Sequence, residues 1–284
     1  MAARRDPPYS WPVKPFDRMH PVRGYFNDPR ISGSSRAFHF GIDISAKDGA
    51  PVYAVEAGTV HFEGGRSLSV VSEQSPRTFG YWHVIPSVKH RQRVKRHQLL
   101  GRVEPPWAHV HFAESSRRTG YRNPLRPGAL SPWVDSTSPR IAGIRFLRGA
   151  KELSPLAVSG AVDVVVDAWD LPPLQPPPPW NGLPVTPAVL RWRVLQGRRV
   201  VRRWQAPIDF RNRLLPAGLF SAVYAPGTRQ NKPGKPGRYR FYVARTWSTK
   251  LLPNGLYRLE VSAADAHGNI ARAGLPFTLA NRAR

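Results

Sequence analysis

Alternation of apolar and polar positions over short stretches, broken by glycine and proline, runs through most of this chain. From Pro51 the residues P-V-Y-A-V, E-A-G, T-V-H-F-E and G-G read as strand, turn, strand, turn. Gly58 and the Gly64-Gly65 pair supply the permissive backbone that the turns need. Further strands are predicted at Leu68–Val71 and Thr78–Val84, separated by the polar Ser72–Pro76. In the second of these, Tyr81 and His83 would share a face by the two-residue rule. Ala108–Phe112, A-H-V-H-F, alternates in the same way, so His109 and His111 are expected to look into one cavity while Val110 and Phe112 face away. After residue 140 the pattern changes to longer β-rich runs at regular spacing: Ile141–Leu147, Leu156–Asp167, Ala188–Val194, Arg198–Trp204, Tyr239–Ala244 and Leu256–Ala263. Such spacing argues a β-sandwich. The chain therefore reads as all-β.

Composition fits that picture. In 284 residues there are 31 prolines and 23 glycines, about a fifth of the chain, which is turn-rich but short of disorder. The length allows two ordinary domains, each with a core. Pro127–Pro139 has the composition of a linker. The expected division is a lead-in over 1–36, a first domain over 37–130, a linker over 131–139 and a sandwich over 140–284. Within the last, P-P-L-Q-P-P-P-P-W, ending at Trp180, is a polyproline-II insertion read as a stiff loop. Asn231–Gly237 is a second exposed loop.

Charge and cysteine content narrow the chemistry. There are no cysteines, which excludes disulfides and thiolate chemistry. The net charge is +25, and 35 of the 43 cationic residues are arginine. That excess has two readings: GC-rich coding, or attraction to a polyanion such as a wall polymer, a membrane headgroup or nucleic acid. No motif that reads nucleic acid is present. No G-x-S-x-G elbow appears either, which removes support for a serine hydrolase. No apolar run reaches the ~18 residues of a membrane span, and M-A-A-R-R-D-P-P-Y-S-W-P lacks the apolar stretch of a signal peptide.

Candidate chemistry gathers at two places. Phe38–Asp43, F-H-F-G-I-D, offers His39 and Asp43, and Ala108–Phe112 offers His109 and His111. Gly41 with the β-branched Ile42 and Ile44 disfavours a helix between His39 and Asp43. A strand ending in a turn is expected, with both side chains bent to one centre. Two imidazoles and a carboxylate are the ligand set of an open zinc site.

The run from His39 to Val60 closely resembles the opening of the lysostaphin-like, or LytM-type, zinc endopeptidases of bacterial cell walls. Gly80-Tyr81-Trp82-His83 stands in the place of that family's Y-x-H, and A-H-V-H-F in the place of its H-x-H-F. The R-G-x-F stretch at Arg23–Phe26 and the ending Tyr121–Leu125 are also similar to the family, so the resemblance covers about the first half. It implies a LytM-type β-sheet, barrel-sandwich fold (a duplicated hybrid motif), with His39, Asp43 and His111 as ligands of Zn2+. His83 and His109 would handle protons and steady the transition state, with their division of roles open. It further implies a metalloprotease, a hydrolase of peptidoglycan stem peptides or cross-bridges, working extracytoplasmically in the cell wall or periplasm. A leader not visible here, or another export route, would then be needed. The late stretch P-N-G-L-Y-R-L-E-V-S-A-A-D-A-H-G-N resembles the hairpin of bacterial immunoglobulin-like domains.

The chain departs from the family at three points. Arg91 and His97 replace the glycine before each glutamine of the repeated V-K-x-x-Q. Val103–Trp107 replaces a glycine- and serine-rich loop. Ala113, followed by Glu114, takes a glutamate position. At Arg91 and His97 either the turns differ or strain is accepted; the other two changes leave the ligands intact and alter the groove. The alternative reading is a non-catalytic cell-wall-binding or regulatory protein that keeps the fold. Such relatives usually lack one or more of the five polar residues, and all five stand here.

Overall fold

The structure is a computed structural model and describes residues 7–281. Two all-β bodies follow one another. In the first, an eight-stranded sheet takes the order β1 (Val22–Gly24), β4 (Ile42–Ser45), β12 (His109–Ser116), β8 (Arg77–Trp82), β7 (Ser67–Ser72), β6 (Gly58–Gly64) and β10 (Arg93–Val94), with β13 (Gly120–Arg122) on β12. A smaller sheet of β5 (Pro51–Tyr53), β11 (Leu99–Val103) and β9 (Val84–Pro86) faces it. Between them lies a core that joins Val60, Leu68, Val70, Phe79, Tyr81, Val110 and Phe112 of the large sheet to Val52, Val84, Leu100 and Val103 of the small one. A hairpin, β2 (Pro29–Ser32) with β3 (Ser35–Phe38), stands to one side.

The lead-in is part of this body. Tyr9, Trp11, Val13 and Val22 are buried in the same core. The Tyr9 hydroxyl donates to Glu114 Oε2 at 2.7 Å. Glu114 is fully buried, and Arg126 binds both of its oxygens at 2.7 Å. The linker-like segment is packed too: Trp133 is in the core beside Trp11, and Trp11 Nε1 donates to Pro132 O. Proline and serine content signals loss of regular structure, which here means irregular but packed chain.

The second body stacks the sheet β15 (Lys151–Leu153), β14 (Arg140–Arg148), β16 (Ala161–Trp169), β19 (Arg240–Ser248) on the sheet β18 (Arg199–Asp209), β17 (Val189–Gln196), β20 (Gly255–Ala264), β21 (Ile270–Leu279). Every pairing is antiparallel. One core holds Val164, Val166 and Phe241 from the first sheet against Trp192, Leu259 and Phe277 from the second. The run from Leu156 begins with a single 3-10 turn at Pro155–Ala157, and its strand starts only at Ala161. The one short α-helix, α1 (Phe220–Val223), is far below a membrane span, and no helix among the described residues is long and apolar enough to cross a membrane.

Buried polar contacts lock the two bodies together. Asp28 Oδ1 accepts from Thr186 N and Oγ1, and Asn27 O accepts from the Tyr224 hydroxyl. Phe38, at the end of β3, inserts among Phe210, Phe220 and Tyr224 of the second core.

Arg91 and His97 both adopt the left-handed backbone, with φ of 63° each, and the Cβ strain is accepted. Each turn is closed by a glutamine side chain, Gln92 onto Lys89 N and Gln98 onto Lys95 N. Relief of that strain is offset in part by the entropy glycine gains in the unfolded chain. Arg91→Gly is accordingly expected to raise stability by no more than about 1 kcal/mol, read as a higher denaturant midpoint with an unchanged slope.

Candidate active site

β12 is the organising strand. It pairs with β4 so that His111 lies opposite Asp43, and with β8 so that His111 also lies opposite Trp82. Directly opposed residues share a face, and residues two apart share it as well. His109, His111, Asp43 and Trp82 therefore all front one cleft, while Val110 and Phe112 go to the core. His39 follows β3 and enters the same cleft from the irregular stretch before β4.

Three atoms converge. His39 Nε2 is 2.8 Å from His111 Nδ1, and each is 3.1 Å from Asp43 Oδ1. His39 Nδ1 lies 2.8 Å from the Tyr25 carbonyl, which can only accept, so that nitrogen carries the proton and Nε2 presents a lone pair. His111 is buried and its Nε2 has no partner. Burial, and then the charge of Arg30, pull His39 down to about 3; burial also lowers His111. Both rings thus stay neutral at pH 7. Burial would raise the Asp43 carboxyl, but His39 and Arg30 outweigh it and hold it well below the usual range. Neutral imidazole twice and carboxylate once is a donor set that fits zinc.

The groups behind these three fix their directions. Arg30 Nη2 holds Asp43 Oδ2 at 2.7 Å. Gly24 is needed here, since a Cβ would lie 2.4 Å from that oxygen. Gly41 is needed equally, since its Cβ would lie 2.8 Å from His111 Nε2 and 2.4 Å from Phe112 O.

The other two histidines stand beside the convergent set. His109 Nε2 is 3.5 Å from Asp43 Oδ1, and the His83 and His109 rings are 4.6 Å apart. Arg23 Nη2 lies 2.5 Å from His109 Nδ1 and 2.9 Å from Trp107 O. His109 Nδ1 also lies 2.8 Å from Trp107 O, so it stands between a donor and an acceptor, and Nε2 is the nitrogen that faces the cleft. Burial, and then His109, pull His83 down to about 4. His83 stacks on Trp107 at 4.1 Å.

The expectation that Tyr81 and His83 share the cleft face is overturned. Tyr81 is fully buried and pairs with Phe112, and its hydroxyl accepts from Val55 N at 3.1 Å in the core. β8 ends at Trp82, and His83 has φ of 61°, which swings its ring back to the cleft side. The two-residue rule stops where the strand stops. The stiff proline-rich loop and the Asn231–Gly237 loop both reach the site. Trp180 and Pro233 line the cleft, with the Arg23 guanidinium 4.3 Å over the Trp180 ring. The cleft has a volume of about 930 Å³ and is walled by both bodies. Arg23 and Arg30 were missed as site residues, although the R-G-x-F motif that contains Arg23 was the available signal.

Residues 37–124 match the model of peptidase family M23. No curated protein matches the chain. Among solved structures, the catalytic domain of the antimicrobial peptidase lysostaphin from Staphylococcus simulans is similar at 22% identity, over 37% of this chain and 90% of that one, with a TM-score of 0.33. A zinc-containing peptidase from Vibrio cholerae is similar at 26% identity, over 40% of this chain and 37% of that one, with a TM-score of 0.33. This chain thus spans little more than a third of the Vibrio protein. All five polar residues of the cleft lie within residues 37–124, the segment that the family model matches.

Proposed function

We propose that this protein is a zinc-dependent endopeptidase that hydrolyses peptide bonds in peptidoglycan stem peptides or cross-bridges. The observation that carries the reading is the convergence of His39 Nε2, Asp43 Oδ1 and His111 Nδ1 within 3.1 Å, beside two further histidines in an open cleft. Zinc held there would supply a Lewis acid and an acidified water. His109, whose Nε2 faces the cleft 3.5 Å from Asp43 Oδ1, is placed to donate to the oxygen of the scissile carbonyl. His83, neutral because of its lowered pKa, presents an acceptor for the proton of the attacking water. Trp107 keeps the His83 ring in one orientation by stacking on it.

The cleft walls suit an extended peptide. Phe40, Trp82, Trp107 and Trp180 offer flat apolar contact, and Arg23 and Arg30 favour a ligand that carries carboxylates. We read the second body as an immunoglobulin-like sandwich, supported by its strand order of β15-β14-β16-β19 against β18-β17-β20-β21. The basic surface suits an anionic wall polymer, and such a substrate places the protein outside the cytoplasm.

The test is to incubate the zinc-loaded chain with purified peptidoglycan and count new amino termini. Release that stops on zinc chelation and returns on zinc addition is expected, and the terminal residues identify the bond. Zinc-loaded protein that releases no termini from several wall types would overturn the proposal.

A further inference from the structure

A second cluster of metal-ligating groups lies away from the cleft, where the two bodies meet. Asp135 comes from the segment joining them, Asp170 follows β16, and Asp265 follows β20. One carboxylate oxygen of each lies within 4.8 Å of the others, a span that a single ion with bonds of about 2.3–2.6 Å can bridge. Tyr25, from the first body, lines the same cavity.

The cluster is built and not merely acidic. Asp170 is 2% exposed; its Oδ1 accepts from Leu171 N, while its buried Oδ2 has no partner. The Tyr25 hydroxyl is likewise buried without a partner. Asp265 is held rigidly, with Oδ1 accepting from the backbone of His267, Gly268 and Asn269, and Oδ2 from Asn269 Nδ2. Asp135 Oδ1 accepts from Thr137 N and Oγ1. The cavity that these groups line together with Trp133 and His267 has a volume of about 20 Å³, room for one particle the size of a water molecule. Burial, and then Asp135 and Asp265, push the Asp170 carboxyl up to about 8, the mark of negative charge without a countercharge.

We propose that Asp135, Asp170, Asp265 and the Tyr25 hydroxyl bind one calcium ion that clamps the second body onto the peptidase domain. All the donors are oxygen, which disfavours zinc and favours a hard cation. Magnesium keeps several waters when it binds, and a cavity of this size has no room for them. Calcium accepts mono- and bidentate carboxylates in irregular geometry and needs no such shell. The ion also bears on the cleft, because the backbone carbonyl of the same Tyr25 orients His39.

The test is titration of CaCl2 into the full, zinc-saturated chain by calorimetry, with terbium luminescence sensitised by Tyr25 and Trp133 as a second readout. One equivalent of calcium is expected for the wild type and for the His111→Ala variant, with magnesium much weaker. Asp170→Asn should weaken binding at least about tenfold. Asp135→Asn, at a half-buried position, should do the same and serves where Asp170→Asn does not fold, as judged by circular dichroism. Absence of calcium binding by the wild type, undiminished binding in both variants, or loss of binding in His111→Ala would each overturn the proposal.

Discussion

Replacing His111 by alanine is expected to remove bound zinc and hydrolysis together, with turnover falling to the uncatalysed background. His111 Nδ1 is one of only three atoms that converge, and a site left with His39 and Asp43 has two protein ligands where catalytic zinc uses three. His83→Ala should behave differently. Its ring lies outside the convergent set, so zinc should stay bound at one equivalent while kcat falls by about 10²–10⁴-fold, the usual contribution of a positioned acid or base. Metal content by mass spectrometry beside kcat on a peptide substrate separates the two. Full activity in either variant, or loss of zinc in His83→Ala, would contradict the assignment. The structural cost of His111→Ala is bounded, since the ring faces the cleft and its Nε2 holds no partner.

Arg126→Ala is expected to destabilise the first body by about 3–5 kcal/mol, as for other broken buried ion pairs. Glu114 has no exposed surface, and Arg126 supplies a donor to each of its oxygens. Truncation leaves that carboxylate in the core with the Tyr9 hydroxyl and Arg122 Nη1 at 3.9 Å. Tyr9 depends on the same carboxylate, so the N-terminal segment should loosen as well. A drop in denaturant midpoint, with faster amide exchange over residues 7–13, is the expected signature. A midpoint within error of the wild type would mean that Arg122 moves in to replace the lost donor.

Much of the cleft was legible along the chain because its parts lie on short, regular pieces. His109 and His111 are two apart on one strand, and alternation alone puts them on one face. His39 and His83 needed more: each lies just beyond a strand end, where local periodicity gives no direction, and Asp43 lies within β4 and not in the expected turn. The error at Tyr81 has the same origin. The strand expected over Thr78–Val84 runs two residues past Trp82, where β8 ends, and the left-handed backbone at His83 reverses the face. Arg23 and Arg30 stayed hidden because their roles are contacts of 2.5 and 2.7 Å to residues far along the chain or across a turn.

The sequence by itself determined the all-β class, the strand-and-turn rhythm, the imidazole and carboxylate donor types and the absence of any thiol chemistry, because these follow from alternation, turn residues and composition. Tertiary structure alone decided three things. It decided the register that sets His111 opposite Asp43, since pairing partners 68 residues apart leave no local trace. It decided that residues with linker and lead-in composition pack into a core, since proline removes backbone donors and does not forbid burial. It also decided which loops of the second body wall the cleft and which carboxylates gather at the junction, because both depend on how two separately formed cores dock.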